Sequence, residues 1–179
     1  MDFTANAKDG EKFVGVVTDA NGKPVVQQSG AFKGFYVSTT SLQAAHGDQN
    51  DPATYVDATK IPYIVLPPEL AKQFGVVLGD LAVVTNHLNG RSSFALYADQ
   101  GPHGKVGEGS AALAGAIGIN PSPRDGGTNK PIIFYLVFPK SGLGQGKLRT
   151  LEEIETSAGK EYDKWGGNQR LDSCRLEQD

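Results

Sequence analysis

The stretch Pro62-Tyr63-Ile64-Val65-Leu66-Pro67-Pro68 is a short apolar run closed by proline at both ends. Proline lacks an amide hydrogen and ends a hydrogen-bonded ladder, so the run reads as a short strand or a sheet edge. Downstream, Asp80-Leu81-Ala82-Val83-Val84-Thr85 and Ser93-Phe94-Ala95-Leu96-Tyr97-Ala98 flank His87-Leu88-Asn89-Gly90, whose Asn-Gly pair marks a hairpin. The most hydrophobic run, Ile132-Ile133-Phe134-Tyr135-Leu136-Val137-Phe138, does not alternate and predicts a central strand buried on both faces. Upstream, Lys12-Phe13-Val14-Gly15-Val16-Val17, an Asn21-Gly22 turn and Val25-Val26 read as another hairpin, followed by a strand over Gly34-Phe35-Tyr36-Val37-Ser38. The polar stretch 43–57 reads as a surface loop.

Helical signals are sparser. Residues 68–74 predict one helical turn, the alanine-rich stretch 110–119 a short helix capped by Ser110, and Leu151, Ile154 and Ala158 a turn or two of amphipathic helix. From Lys160 onward the tail is polar apart from Tyr162 and Trp165. With 23 glycines favouring turns between short strands, the pattern predicts an all-β fold with a few short helices, and 179 residues predict a single domain over 1–179.

Composition excludes several function classes. Hydrophobic residues at 39% and charged residues at 21% are ordinary for a globular protein, and no apolar run is long enough to span a bilayer. A net charge of −3 argues against nucleic-acid binding and suits a cationic ligand. The only cysteine, Cys174, forms no intrachain disulfide, and His46, His87 and His103 show no metal-ligand spacing, so no metal site is expected. The amino-terminal Met1-Asp2-Phe3-Thr4 has neither the basic start nor the apolar core of a signal peptide. Ser141-Gly142-Leu143-Gly144-Gln145-Gly146-Lys147-Leu148 departs from the phosphate-binding loop at both ends and reads as a turn, and Gly107-Glu108-Gly109-Ser110-Ala111 is no nucleophile elbow.

The informative segment is Tyr97-Ala98-Asp99-Gln100-Gly101-Pro102-His103-Gly104-Lys105-Val106-Gly107-Glu108-Gly109-Ser110. If its central turn closes a hairpin with Gln100 opposite Lys105, Asp99 faces Val106 and Tyr97 faces Glu108. The two carboxylates then lie diagonally on one face, roughly 7–8 Å apart. Inverting glycosidases hold their carboxyl pair roughly 6.5–9.5 Å apart to admit a water. A slip of one residue would send the pair to opposite faces. An exposed charged hairpin without function is the alternative reading of the same spacing.

Several segments in one shared order carry a resemblance to a known family. Gly34-Phe35-Tyr36-Val37-Ser38-Thr39-Thr40 and Tyr55-Val56-Asp57-Ala58-Thr59-Lys60-Ile61-Pro62-Tyr63-Ile64-Val65-Leu66-Pro67 resemble the opening half of glycoside hydrolase family 75, the fungal-type chitosanases. Leu78-Gly79-Asp80-Leu81-Ala82-Val83-Val84, Ala98-Asp99-Gln100-Gly101-Pro102, Lys105-Val106-Gly107-Glu108-Gly109-Ser110 and Phe134-Tyr135-Leu136-Val137-Phe138-Pro139-Lys140-Ser141-Gly142 resemble its second half. The resemblance implies an endo-acting, inverting, cofactor-independent enzyme on the β-1,4 linkages of chitosan, with Asp99 and Glu108 as the catalytic carboxylates. It implies a secreted, extracellular protein, a cytoplasmic one being the alternative, and a monomer is expected for an enzyme acting within a long chain.

The segment order also resembles that of double-psi β-barrel hydrolases and lytic transglycosylases, which implies a six-stranded double-psi β-barrel. Few charges surround Glu108 in the sequence, which favours it as the acid and Asp99 as the base, the reverse assignment staying open. For a cationic polymer, Asp51, Asp57, Asp80 and Asp125 are candidate contacts, although each sits in a turn or capping context. Tyr36, Tyr63, Tyr97 and Trp165 are candidate stacking surfaces, with core packing as the alternative. A hydrolase of a peptidoglycan-like polymer, a non-catalytic polysaccharide-binding protein and a structural or interaction protein are the competing functions.

Overall fold

The computed structural model describes residues 15–123 and 125–176. Its centre is a mixed four-stranded sheet of order β1-β3-β2-β4, curled into a half-barrel: β1 (Tyr63–Leu66), β2 (Leu81–Asn86), β3 (Ser92–Gln100) and β4 (Ile133–Phe138). β3 runs parallel to β1 and antiparallel to β2, and β2 runs antiparallel to β4. The expected closed six-stranded double-psi barrel is therefore corrected to an open half-barrel. The Asn89-Gly90 hairpin forms as expected between β2 and β3, with Asn86 N donating to Arg91 O at 2.8 Å.

Strand alternation explains why these runs look uniformly apolar. Tyr63, Val65, Leu81, Val83, Leu96, Ala98 and Phe138 pack on one face, with Ile154 and Ala158 of helix α3 (Leu151–Trp165). Ile64, Leu66, Ala82, Val84, Ala95 and Tyr97 pack on the other, with Ala71 of α1 (Pro68–Phe74) and Leu113 of α2 (Ala111–Ala116). With both faces covered, both sets of alternate residues are mostly apolar, and the buried polar residues Thr85 and Asn86 at the end of β2 are hydrogen-bonded. The same cause corrects the position of the 132–138 run: β4 is two-sided in its packing, yet it pairs only with β2 and is an edge strand of this sheet.

Two further differences concern the ends. α3 extends to Trp165 and is followed by α4 (Gly167–Leu176), so the polar tail is helical. A capping box starts α3, Thr150 accepting from Glu153 N while the Glu153 carboxylate accepts from Thr150 N. Of the first expected hairpin, residues 12–14 lie outside the described residues. The remainder forms a closed ring of three short segments, in which Val17 N donates to Val37 O, Val37 N to Val25 O, and Val25 N to Val17 O, at 2.8–2.9 Å.

Asp80 ties the sheet's far end together. It is fully buried, and its oxygens accept from Val77 N at 2.8 Å, Lys140 N at 3.0 Å and Gly142 N at 2.9 Å. Removing the carboxylate strands three backbone donors, so Asp80→Ala is expected to lower unfolding free energy by about 3 kcal/mol or more. Urea unfolding followed by circular dichroism measures this; a loss under about 0.5 kcal/mol, the size of an ordinary surface change, would contradict the anchoring role.

Candidate active site

β1 is hydrogen-bonded along both of its edges, and each neighbour brings one carboxylate residue. On one edge Val65 pairs with Asp99 of β3. On the other, Val65 N donates to Glu108 O at 3.0 Å, Ile64 bridges Gly109 in antiparallel fashion, and Ser110 N donates to Tyr63 O at 3.0 Å. Asp99 and Glu108 therefore flank Val65 from opposite sides. This corrects the expected hairpin, because β1 occupies the place where residues 105–108 were expected to pair with β3.

A register shift between Ile64 and Val65 aims Asp99. Ile64 pairs with Tyr97 while Val65 pairs with Asp99, leaving Ala98 as an extra residue. Strict alternation would send Asp99 the way of Tyr97, into the second face; the bulge instead sets it level with Val65. Asp99 Oδ1 then accepts from Ser41 N at 2.9 Å, Ser41 Oγ at 2.7 Å and Gln100 N at 2.9 Å. Among the described residues, Oδ2 has no hydrogen-bond partner. The carboxylate is thus fixed through one oxygen and open at the other.

Glu108 is exposed and lies between two glycines, Gly107 because its φ is +113° and Gly109 for a reason of space. A Cβ at Gly109 would lie 3.0 Å from Tyr63 O and 3.0 Å from a methyl of Leu113. Ser110, buried behind it, accepts from Tyr63 N at 3.0 Å and from Leu113 N at 3.1 Å, joining β1 to the start of α2. The Glu108 carboxylate reaches back over β1: a Cβ at Gly101 would meet its Oε2 at 3.3 Å and a methyl of Val65 at 3.0 Å.

Tyr135 of β4 approaches Glu108 from the other end of the half-barrel. Its hydroxyl donates to Glu108 O at 3.2 Å, and burial, followed by the Glu108 charge, pushes the phenol up to about 12. The loop between the two carboxylates is clasped to α1, Gly104 N donating to Glu69 Oε1 at 2.8 Å and His103 Nδ1 meeting Glu69 Oε2 at 2.9 Å. Ser41 and Tyr135 were not among the sequence candidates. Nothing local marks them, since Ser41 lies 58 residues from Asp99 and Tyr135 lies 27 from Glu108.

A cavity of about 990 Å³ opens on the second face of the sheet, with Glu108 and Tyr135 on its wall and Asp99 off it. The carboxylate pair and the cavity therefore share only Glu108.

The other sequence candidates disperse. Tyr63 and Tyr97 are 5% and 1% exposed and fill the core, so their ring faces pack inward. Burial, partly offset by Gln100 and reinforced by the Asp99 charge, raises the Tyr97 phenol above its ordinary value. Asp80 is the buried anchor described above. Asp51 caps a 3-10 turn through Ala53 N, and Asp57 accepts from Thr59 N and Oγ1 and pairs with Lys60 at 3.0 Å. Burial pushes the Asp57 carboxyl up, but the hydrogen bonds from Thr59 and Lys60 outweigh it and hold the group below its ordinary value. Asp125 is exposed and accepts from Ser122 Oγ at 2.8 Å. Tyr36 is half-buried in the three-segment ring, and Trp165 has Tyr162 stacked 6.1 Å from its ring and the Arg170 guanidinium 4.9 Å from its centroid. Among the described residues no three His, Cys, Asp or Glu side chains gather as a metal-binding group, and no helix is long and apolar enough to cross a membrane.

Comparison with known proteins adds one finding. No curated protein matches the chain. The family model described as fungal chitosanase of glycosyl hydrolase group 75 matches residues 5–163, which includes every segment on which the resemblance was argued and both flanks of β1. The chain belongs to glycoside hydrolase family 75, the fungal chitosanases.

Proposed function

We propose that this protein is an endo-acting chitosanase that hydrolyses β-1,4 linkages with inversion, Glu108 acting as general acid and Asp99 as general base. The observation that carries this reading is the placement of the two residues on opposite flanks of Val65. Two strand spacings put their backbones roughly 10 Å apart. The reach of Glu108 over Val65 toward Gly101 shortens the gap between carboxyl groups toward the roughly 6.5–9.5 Å that leaves room for a water.

In this mechanism Glu108 gives its proton to the glycosidic oxygen as the bond to the anomeric carbon breaks. Asp99 Oδ2 takes a proton from the water that attacks that carbon from the opposite face. The anomeric configuration inverts, and the two groups end with exchanged protonation states that solvent resets. Ser41 keeps Oδ1 of Asp99 occupied, which directs the free oxygen at the water. Chitosan is an external polymer, so the enzyme acts outside the cell, and it works on the chain as a monomer.

Release of reducing ends from soluble chitosan is expected to fall at least about 100-fold in both Asp99→Asn and Glu108→Gln, with circular dichroism unchanged. Proton NMR of the first products should show the inverted anomer. Retained activity in either folded variant would overturn the pair, and a retained anomer would overturn the inverting mechanism.

Two positioning effects can be tested in the same assay. A methyl in Gly101→Ala crowds Val65 and the Glu108 carboxylate, so kcat is expected to drop about tenfold with little change in stability. Tyr135→Phe removes one of two hydrogen bonds to the Glu108 carbonyl, and kcat should fall about fivefold with KM nearly constant. With the phenol at about 12, the wild-type and Tyr135→Phe profiles should differ in height but show no step from this group below pH 10 or so. A rise in KM with constant kcat would instead place Tyr135 in substrate binding.

A further inference from the structure

The loop that joins the two carboxylate residues has little packing to hold it. Residues 102–107 are exposed, and a Cβ at Gly104 or Gly107 would meet nothing within 4 Å. Its ends are tied to β1, where Gly101 N donates to Leu66 O at 3.1 Å and Val65 N to Glu108 O at 3.0 Å. Between those ends, the hydrogen bonds among the described residues are a local turn, Lys105 N to Pro102 O at 3.3 Å, and the clasp to Glu69.

Glu69 is anchored apart from the loop it holds. It sits in the first turn of α1, whose Leu70 and Ala71 pack into the core of the second face. Both carboxylate oxygens are engaged, Oε1 by Gly104 N at 2.8 Å and Oε2 by His103 Nδ1 at 2.9 Å. Its own amide and then that of Gly104 hold the carboxyl below its ordinary value, so it is an anion at neutral pH. The two contacts are unequal: the His103 side chain is 86% exposed, and exposed ion pairs contribute little. A backbone amide donating to a charged acceptor makes the stronger bond. Leu70 and Phe74 of α1 line the same cavity as Val106 and Glu108, so the clasp also joins two parts of one wall.

We propose that Glu69 is a positioning residue: by clasping Gly104 it fixes the course of the 101–107 loop, and with it where the Glu108 carboxylate lies relative to Asp99. The inference rests on the hydrolase reading with this carboxylate pair, and it adds a residue outside the pair that acts through the backbone.

The test reads the loop and the reaction separately. Hydrogen exchange of the Gly104 amide, followed by NMR, should quicken at least about tenfold in Glu69→Ala. It should stay within about threefold of wild type in Glu69→Gln, whose side-chain oxygen can still accept from Gly104 N. On soluble chitosan, Glu69→Ala should lower kcat about tenfold with KM changed less than about twofold, and Glu69→Gln should recover most of that loss. His103→Ala should cost about twofold at most. Both positions are exposed, so thermal unfolding followed by circular dichroism should match wild type. Unchanged exchange in Glu69→Ala would overturn the clasp. Faster exchange with unchanged kcat, or a raised KM at constant kcat, would overturn the positioning of Glu108. A wild type that cleaves no chitosan would overturn the hydrolase reading and the positioning role with it, while the exchange rates still decide whether Glu69 holds the loop.

Discussion

The site depends on one short strand being hydrogen-bonded along both edges. Val65 is paired with Asp99 on one side and donates its amide to the Glu108 carbonyl on the other. A strand in that position converts two residues from neighbouring stretches of chain into facing groups at a distance fixed by backbone geometry. The sheet sets the spacing of the two backbones, and the reach of the Glu108 side chain over Val65 narrows it between the carboxyl groups. Proline at each end confines the strand to Tyr63–Leu66, which leaves no ladder to compete with the segment that carries Glu108.

Around that strand, the same backbone groups serve stability and position together. Ser110 caps α2 and at once accepts from the first amide of β1, so the helix start and the Glu108 segment move as one unit. Gly109 admits Tyr63 O and the Leu113 side chain at distances that a larger residue would occupy. Tyr135 closes the arrangement from β4, the far edge of the half-barrel. The exposed Glu108 segment is thereby held by contacts that are themselves buried or half-buried, which is how a surface loop can carry precise geometry.

Several elements are legible from local sequence because local chemistry decides them. Asn89-Gly90 makes a hairpin, Pro62 and Pro67 bound a strand, and Ser110 caps a helix, all through groups within a few residues of each other. Membership of the family is legible in the order of the segments. The helical tail was less so: α4 has no apolar stripe, and the polar composition after Lys160 hides a helix. Apolar β4 reads as a central strand because an unalternating apolar run looks the same in the middle of a sheet as at an edge, where all but Phe138 of its residues are only half-buried.

The sequence by itself determined the candidate residues: two carboxylates near glycines, in segments whose order matches the family. Only the tertiary structure decided how they meet. The interposed β1, the bulge that re-aims Asp99, and the contacts from Ser41 and Tyr135 all join residues far apart in the chain. Pairing across such separations follows from the total packing of a two-faced sheet rather than from any local preference. A one-residue change of register, invisible in composition or motif, is enough to turn a side chain from the core toward the site.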